Sequence, residues 1–200
     1  AAGHLPAGAA DGDFTAAALT LVEDGKAVHF PLSNGTQGVR GMAISPDGRY
    51  LAVAHVLSRY QAPTTQLDRG WMNTNAVTVI NTDEPDKPHP VLLDDPDAGA
   101  ANPWGVSFSG DGGKLFVTHA GTHELSVIDF PALLERMKRE DRSNEPVSER
   151  LGFLHGLRAR IALPLNGPRS VASDGKNVYV AGYFSDSLAE ISLKDARKSR

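Results

Sequence analysis

Histidines are the first residues in this chain with types and spacing suited to chemistry. There are seven of them against no cysteine at all. His55 and His119 end two segments of similar wording, AVAH and FVTH, and His123 follows four residues after the second. Three neutral imidazoles gathered at one point would suit copper, zinc or iron. The competing reading, and the one preferred on sequence, is that each histidine hydrogen-bonds loop backbone. No His-Glu-x-x-His spacing supports a metal, and the third equivalent position is Gly182.

A second group lies just after His55. The stretch from Val56 to Asn75 holds Arg59, Tyr60, Gln66, Asp68, Arg69, Trp71 and Asn73. Arg with Trp and Tyr is the composition of protein-binding hot spots, so Arg59, Tyr60, Asp68, Arg69 and Trp71 are candidate partner contacts. The alternative is a self-packed loop with Trp71 as its private core. Arg40, Trp104 and Arg169 form a third group, each just before an apolar run. Two arginines near one another suggest an anion or carboxylate site, and Arg stacked on Trp fits the same residues. Asp94, Asp95 and Asp97 would suit calcium or, as such acidic turns usually do, simply face water.

Other chemistries find no support. There is no nucleophile elbow with triad partners, no phosphate-cradling glycine loop and no pair of carboxylates at defined spacing. The net charge is −4 and no basic run alternates with aromatics, which argues against nucleic acid as a principal partner. No apolar run approaches the roughly 20 residues of a membrane span. Without cysteine, a c-type haem attached covalently has to sit on another segment or chain.

These groups are positioned by a repeat. GMAISPDGRYLAVAH (Gly41–His55) returns as GVSFSGDGGKLFVTH (Gly105–His119) and SVASDGKNVYVAG (Ser170–Gly182), with Asp47, Asp111 and Asp174 spaced by 64 and then 63 residues. Each copy reads as strand, Asp-Gly turn and strand. A third strand follows in AVTVIN, ELSVID and LAEISL, and a fourth in PVLL and RIALPL. Four antiparallel strands at a fixed period make one blade of a β-propeller.

The expected organisation is all-β. Residues 1–16 read as a flexible lead-in and 17–193 as propeller, with a half blade at 17–32, blades at 39–93 and 103–165, and a partial blade at 168–193. Residues 194–200 are a charged tail. Two whole and two partial blades are too few for a ring of four to eight, so a segment of a larger ring is expected over an unusually small or open one. The period exceeds that of an ordinary blade because of two insertions, 56–75 and 130–157, which open on opposite ends of the strands. Within the second, Pro131 followed by ALLERMKRE reads as a short helix with Leu133, Leu134 and Met137 on one side. The innermost strands, with Met42, Ala43, Ile44, Val106 and Phe108, are expected to be covered on both faces by neighbouring blades.

The three copies resemble the YVTN-family β-propeller repeat, in which a strand ending in Ser-Pro-Asp-Gly precedes strands like LYVAN and VSVID. The phrases HVLSRYQAPTTQLDRGWMNTNAVTVI and THAGTHELSVID resemble a subgroup in which the propeller stands beside c-type cytochrome domains of the dihaem peroxidase type. The resemblance implies a periplasmic or extracellular binding or scaffold module, presenting a loop-rich face to a protein partner or a haem domain. Its own cofactor content is none by default, with copper, iron or calcium as the metals to test. The rival class is a periplasmic propeller enzyme or electron-transfer protein, with a metal or small-anion site at the channel mouth formed by Arg40, Trp104 and Arg169.

Overall fold

The computed structural model describes residues 2–4, 17–59, 63, 65, 71–140, 147 and 150–194. A first sheet contains β1 (Ala2–His4), β2 (Ala17–Glu23) and β3 (Lys26–Pro31). The next blade comprises β4 (Thr36–Gln37), β5 (Met42–Ile44), β6 (Tyr50–Ser58), β7 (Asn73–Asn81) and β8 (His89–Leu92). It is followed by β9 (Pro103–Phe108), β10 (Lys114–His119), β11 (Glu124–Asp129), helix α1 (Phe130–Glu140) and β12 (Arg158–Ala162). The last sheet has β13 (Pro168–Ser173), β14 (Asn177–Gly182) and β15 (Ser187–Ser192). All strand pairs are antiparallel and, apart from β4 and β5, which both pair with β6, consecutive strands within a sheet are neighbours, which is the meander of propeller blades. The chain is an all-β propeller segment.

The Asp-Gly turns show why the repeat folds as it does. Ser45 Oγ donates to Asp47 Oδ1 at 2.6 Å and accepts the Tyr50 N–H at 2.9 Å, and Ser109 repeats both bonds with Asp111 and Lys114 at 2.6 and 2.8 Å. Within these turns positive φ falls on the glycine and not on the Asp, at +75°, +70° and +88° for Gly48, Gly112 and Gly175, where a Cβ is disfavoured. The hydrogen bonds from Ser45 and Arg49 hold the Asp47 carboxyl down at about 2.

Burial follows the pleat. Ala52, Ala54, Val77 and Val79 of one blade meet Leu115, Val117 and Ile128 of the next, with Leu133 of α1 and Phe153 closing the cluster. Phe130 stands edge-on to Tyr50 and Phe108, at 5.5 and 4.9 Å between ring centres. A second apolar layer, Phe116, Leu125, Val178 and Val180, joins the next pair of sheets.

Four details differ from expectation. Ala2–His4 pairs with β2, so the lead-in contributes a strand. Thr36 and Gln37 pair with Leu57 and Val56, so the first full blade begins before residue 39. Strands β6 and β7 run into the insertion and stay paired as far as Ser58 and Asn73, because the antiparallel ladder continues past the blade. Met42 and Ile44 are exposed on one face. The first sheet packs Ala17, Leu19 and Leu32 over Val53 and Ile80 and leaves the Met42 and Ile44 face of β5 bare, while Ala43 packs on the next blade.

Candidate functional site

The innermost strands approach one another at two glycines. A Cβ on Gly41 would lie 2.2 Å from the Trp104 carbonyl oxygen, and one on Gly105 would lie 2.8 Å from that of Arg169. Only glycine permits such backbone contact. The residues just before these strands' repeats, Arg40, Trp104 and Arg169, are thereby set in a row, one from each blade. The Arg40 guanidinium lies 4.4 Å from the Trp104 ring centre and that of Arg169 lies 4.1 Å from it. Arg169 also covers Tyr183 at 3.7 Å and Phe184 at 5.1 Å. Of the two sequence readings for this group, stacking is realised in full.

Tyr183 and Phe184 did not figure in the sequence reading. They occupy the β14–β15 turn and are 60% and 67% exposed. An adjacent pair of aromatics at a turn, where the other blades have Val56-Leu57 and Ala120-Gly121, was the available signal. Phe184 is steered across Gly167, whose φ is +61° and where a Cβ would lie 2.5 Å from the ring.

The same end of the sheets carries the histidines. His55 and His119 are fully buried. His55 Nδ1 lies 3.1 Å from the Val56 carbonyl and Nε2 lies 2.7 Å from Thr78 Oγ. In the next blade His119 Nδ1 lies 3.0 Å from the Ala100 carbonyl, with Nε2 2.7 Å from Ser126 Oγ. A carbonyl only accepts, so Nδ1 carries the proton and Nε2 accepts from the hydroxyl. Burial pushes His55 down to about 4, and burial with the nearby Arg158 and Arg160 charges pushes His119 down to about 3. The third copy lacks both members of the pair, having Gly182 and Ala189 in their places. His123 sits apart in its turn at φ +56°, and its Nδ1 accepts the Gly167 N–H at 3.0 Å.

Among the described residues no three His, Asp or Glu side chains converge on a point where a metal would bind. The histidine metal site considered from the sequence is not assembled there, because both ring nitrogens of His55 and His119 already have partners. Nor is the calcium loop. Asp94 is buried and accepts Asn75 N–H, Asn75 Nδ2–H and Ala100 N–H at 2.6, 2.9 and 2.7 Å. Asp95 turns instead to Arg158 at 2.6 Å and Arg160 at 3.2 Å.

Of the insertion residues, Tyr60, Gln66, Asp68 and Arg69 lie outside the described residues. The Arg59 N–H donates to the Met72 carbonyl at 2.8 Å, closing the base of the loop. Trp71 is half-buried with its six-membered ring over Gly99, where a Cβ would sit 3.2 Å from the ring edge. Trp71 thus ties the loop to the connection between two blades. Its neighbour Met72 is exposed.

No family model matches the chain. A curated relative, hydrazine synthase subunit beta of Kuenenia stuttgartiensis, is 29% identical over 174 residues, which are 85% of this chain and 45% of the relative. The chain therefore spans about half the length of the curated relative it matches. A solved structure of Kuenenia stuttgartiensis hydrazine synthase matches with a TM-score of 0.72 at 26% identity, over 92% of this chain and 56% of the other. A nidogen/laminin complex matches with a TM-score of 0.54 at 18% identity, over 92% of this chain and 53% of the other, and shows the fold alone. By sequence the chain is similar to part of hydrazine synthase subunit beta, and by structure it is similar to part of a chain of hydrazine synthase.

Proposed function

We propose that this chain is part of a β-propeller subunit that presents its loop-rich end to a partner chain in a redox assembly, without catalysing a reaction itself. The observation that carries the reading is the concentration of exposed apolar and cationic groups at that end: Met72, Tyr183, Phe184, Leu188 and Arg40. Similarity to a protein named as a synthase subunit supports a role beside other chains. Arg, Tyr and Trp are the residues that dominate protein interfaces when desolvated. Any covalent c-type haem belongs to the partner or another segment, since this chain has no cysteine for it. A periplasmic or extracellular placement is part of the same proposal.

The test is pull-down and calorimetry with the chain that co-purifies with the native protein. Phe184→Ser with Leu188→Ser should weaken association by roughly 1 to 3 kcal/mol while the melting temperature stays within a few degrees. Unchanged association would overturn the proposal. Trp71→Ala, measured the same way, sorts the loop: lost affinity marks an anchor, and lost stability with normal affinity marks a strut.

A further inference from the structure

We infer that the channel mouth binds an organic carboxylate, held by the N–H donors of Arg40 and Arg169, whose guanidinium carbons lie over Trp104. A guanidinium stacked on a ring uses its face and leaves its five N–H donors, which lie in the plane, directed sideways. Neither side chain meets a carboxylate within ion-pair distance among the described residues, unlike Arg49, Arg158 and Arg160. Arg169 Nε is buried and has no hydrogen-bond partner there. A buried donor left unsatisfied costs stability, and two like charges on one indole repel. A planar carboxylate answers both conditions, since its two oxygens match the guanidinium fork.

The surroundings narrow the ligand further. Tyr183 and Phe184 extend the Trp104 surface beside Arg169, at 3.7 and 5.1 Å from its guanidinium carbon. That apolar shelf fits a carboxylate carrying an aromatic or aliphatic body better than a bare inorganic anion. Such a carboxylate reaches the mouth either as a free small acid or as an acidic side chain of a partner.

The experiment uses the purified protein with benzoate as the probe and neutral benzamide as its isostere, followed by tryptophan fluorescence and calorimetry. Saturable binding of benzoate, absent for benzamide, is expected. Arg169→Met and Arg40→Met keep the packing on the rings and should each weaken benzoate about tenfold or more. Equal binding of the two probes, or unchanged benzoate affinity in both variants, overturns the inference. Melting curves accompany each variant. Should Arg169→Met fail to fold, Arg40→Met, at an exposed position, decides alone. A short peptide with aspartate beside phenylalanine, run in competition, then separates the sources. Displacement at lower concentration than benzoate assigns the site to a partner's side chain, and weaker displacement assigns it to a free acid. These readings use the isolated protein, so they stand or fall separately from partner association.

Discussion

Two pairs of arginines in this molecule have opposite surroundings. Arg158 and Arg160, on the outer strand of the second full blade, reach back to the connection that joins it to the first. Arg158 is 3% exposed and bonds Asp95 at 2.6 Å together with the Leu93 carbonyl. Arg160 joins Asp95, Glu124 and the carbonyls of Ala98 and Gly99. Arg40 and Arg169, on the inner strands, have rings for company and no carboxylate among the described residues. A buried cation matched by carboxylate and carbonyl is fixed for the fold. A cation over the half-buried Trp104 ring, with no carboxylate beside it, keeps its donors for something else. The difference assigns one pair to structure and the other to binding.

The largest effect should come from unmatching the structural pair. Asp95→Ala takes the hydrogen-bonded carboxylate from the buried Arg158 and leaves it the Leu93 carbonyl, and should cost roughly 3 to 5 kcal/mol in urea denaturation. A cost near zero would mean that the clamp is not fixed for the fold, and the contrast would collapse.

Acid should reach the same neighbourhood next. Native His55 and His119 are neutral, with values near 4 and near 3 against 6.5 for a free imidazole, so the unfolded chain takes up protons first. Their contribution is complete above about pH 6.5 and is lost as pH falls toward 4, by roughly 2 to 3 kcal/mol for each site. Denaturation midpoints measured between pH 7 and 4 check this. Because Arg158 and Arg160 help to depress His119, Arg158→Met should raise its value and flatten the pH dependence, whereas Arg169→Met should not.

The Asp-Gly turns give a control for a purely local defect. A Cβ at Gly112 meets only Pro46 Cδ at 3.8 Å, so Gly112→Val is penalised through its φ of +70°, by about 1 to 2 kcal/mol. Its melting temperature should drop while benzoate affinity is retained. Smallest of all should be the stability change in Arg169→Met, within about 1 kcal/mol, the scale of a partly exposed cation–π contact.

How far the sequence disclosed this follows from how local each feature is. The turns at Asp47 and Asp111 were legible, because Ser, Asp and Gly act on backbone a few residues away. Strands β10 and β11 were legible because alternation and β-branched residues mark them directly. The histidines were visible as repeated positions, yet their role lies in Thr78 and Ser126 on the adjoining strand, and only pairing reveals that. Exposure of Met42 and Ile44 could not be read, since it depends on which strands the first sheet lays over β6 and β7. The stack of Arg40, Trp104 and Arg169 was grouped correctly by repeat position. Its extension onto Tyr183 and Phe184 needed the turn of another strand brought beside it, as did the diversion of Asp95 from the acidic cluster to Arg158.

The most direct test sets Arg158→Met beside Arg169→Met and measures, on each, the urea midpoint and the affinity for benzoate. The account predicts that Arg158→Met lowers the midpoint strongly and binds benzoate as the parent does, while Arg169→Met keeps the midpoint and loses about tenfold or more in affinity. If instead Arg169→Met is the less stable of the two and benzoate affinity follows stability in both, the division of the arginines between fold and binding is wrong.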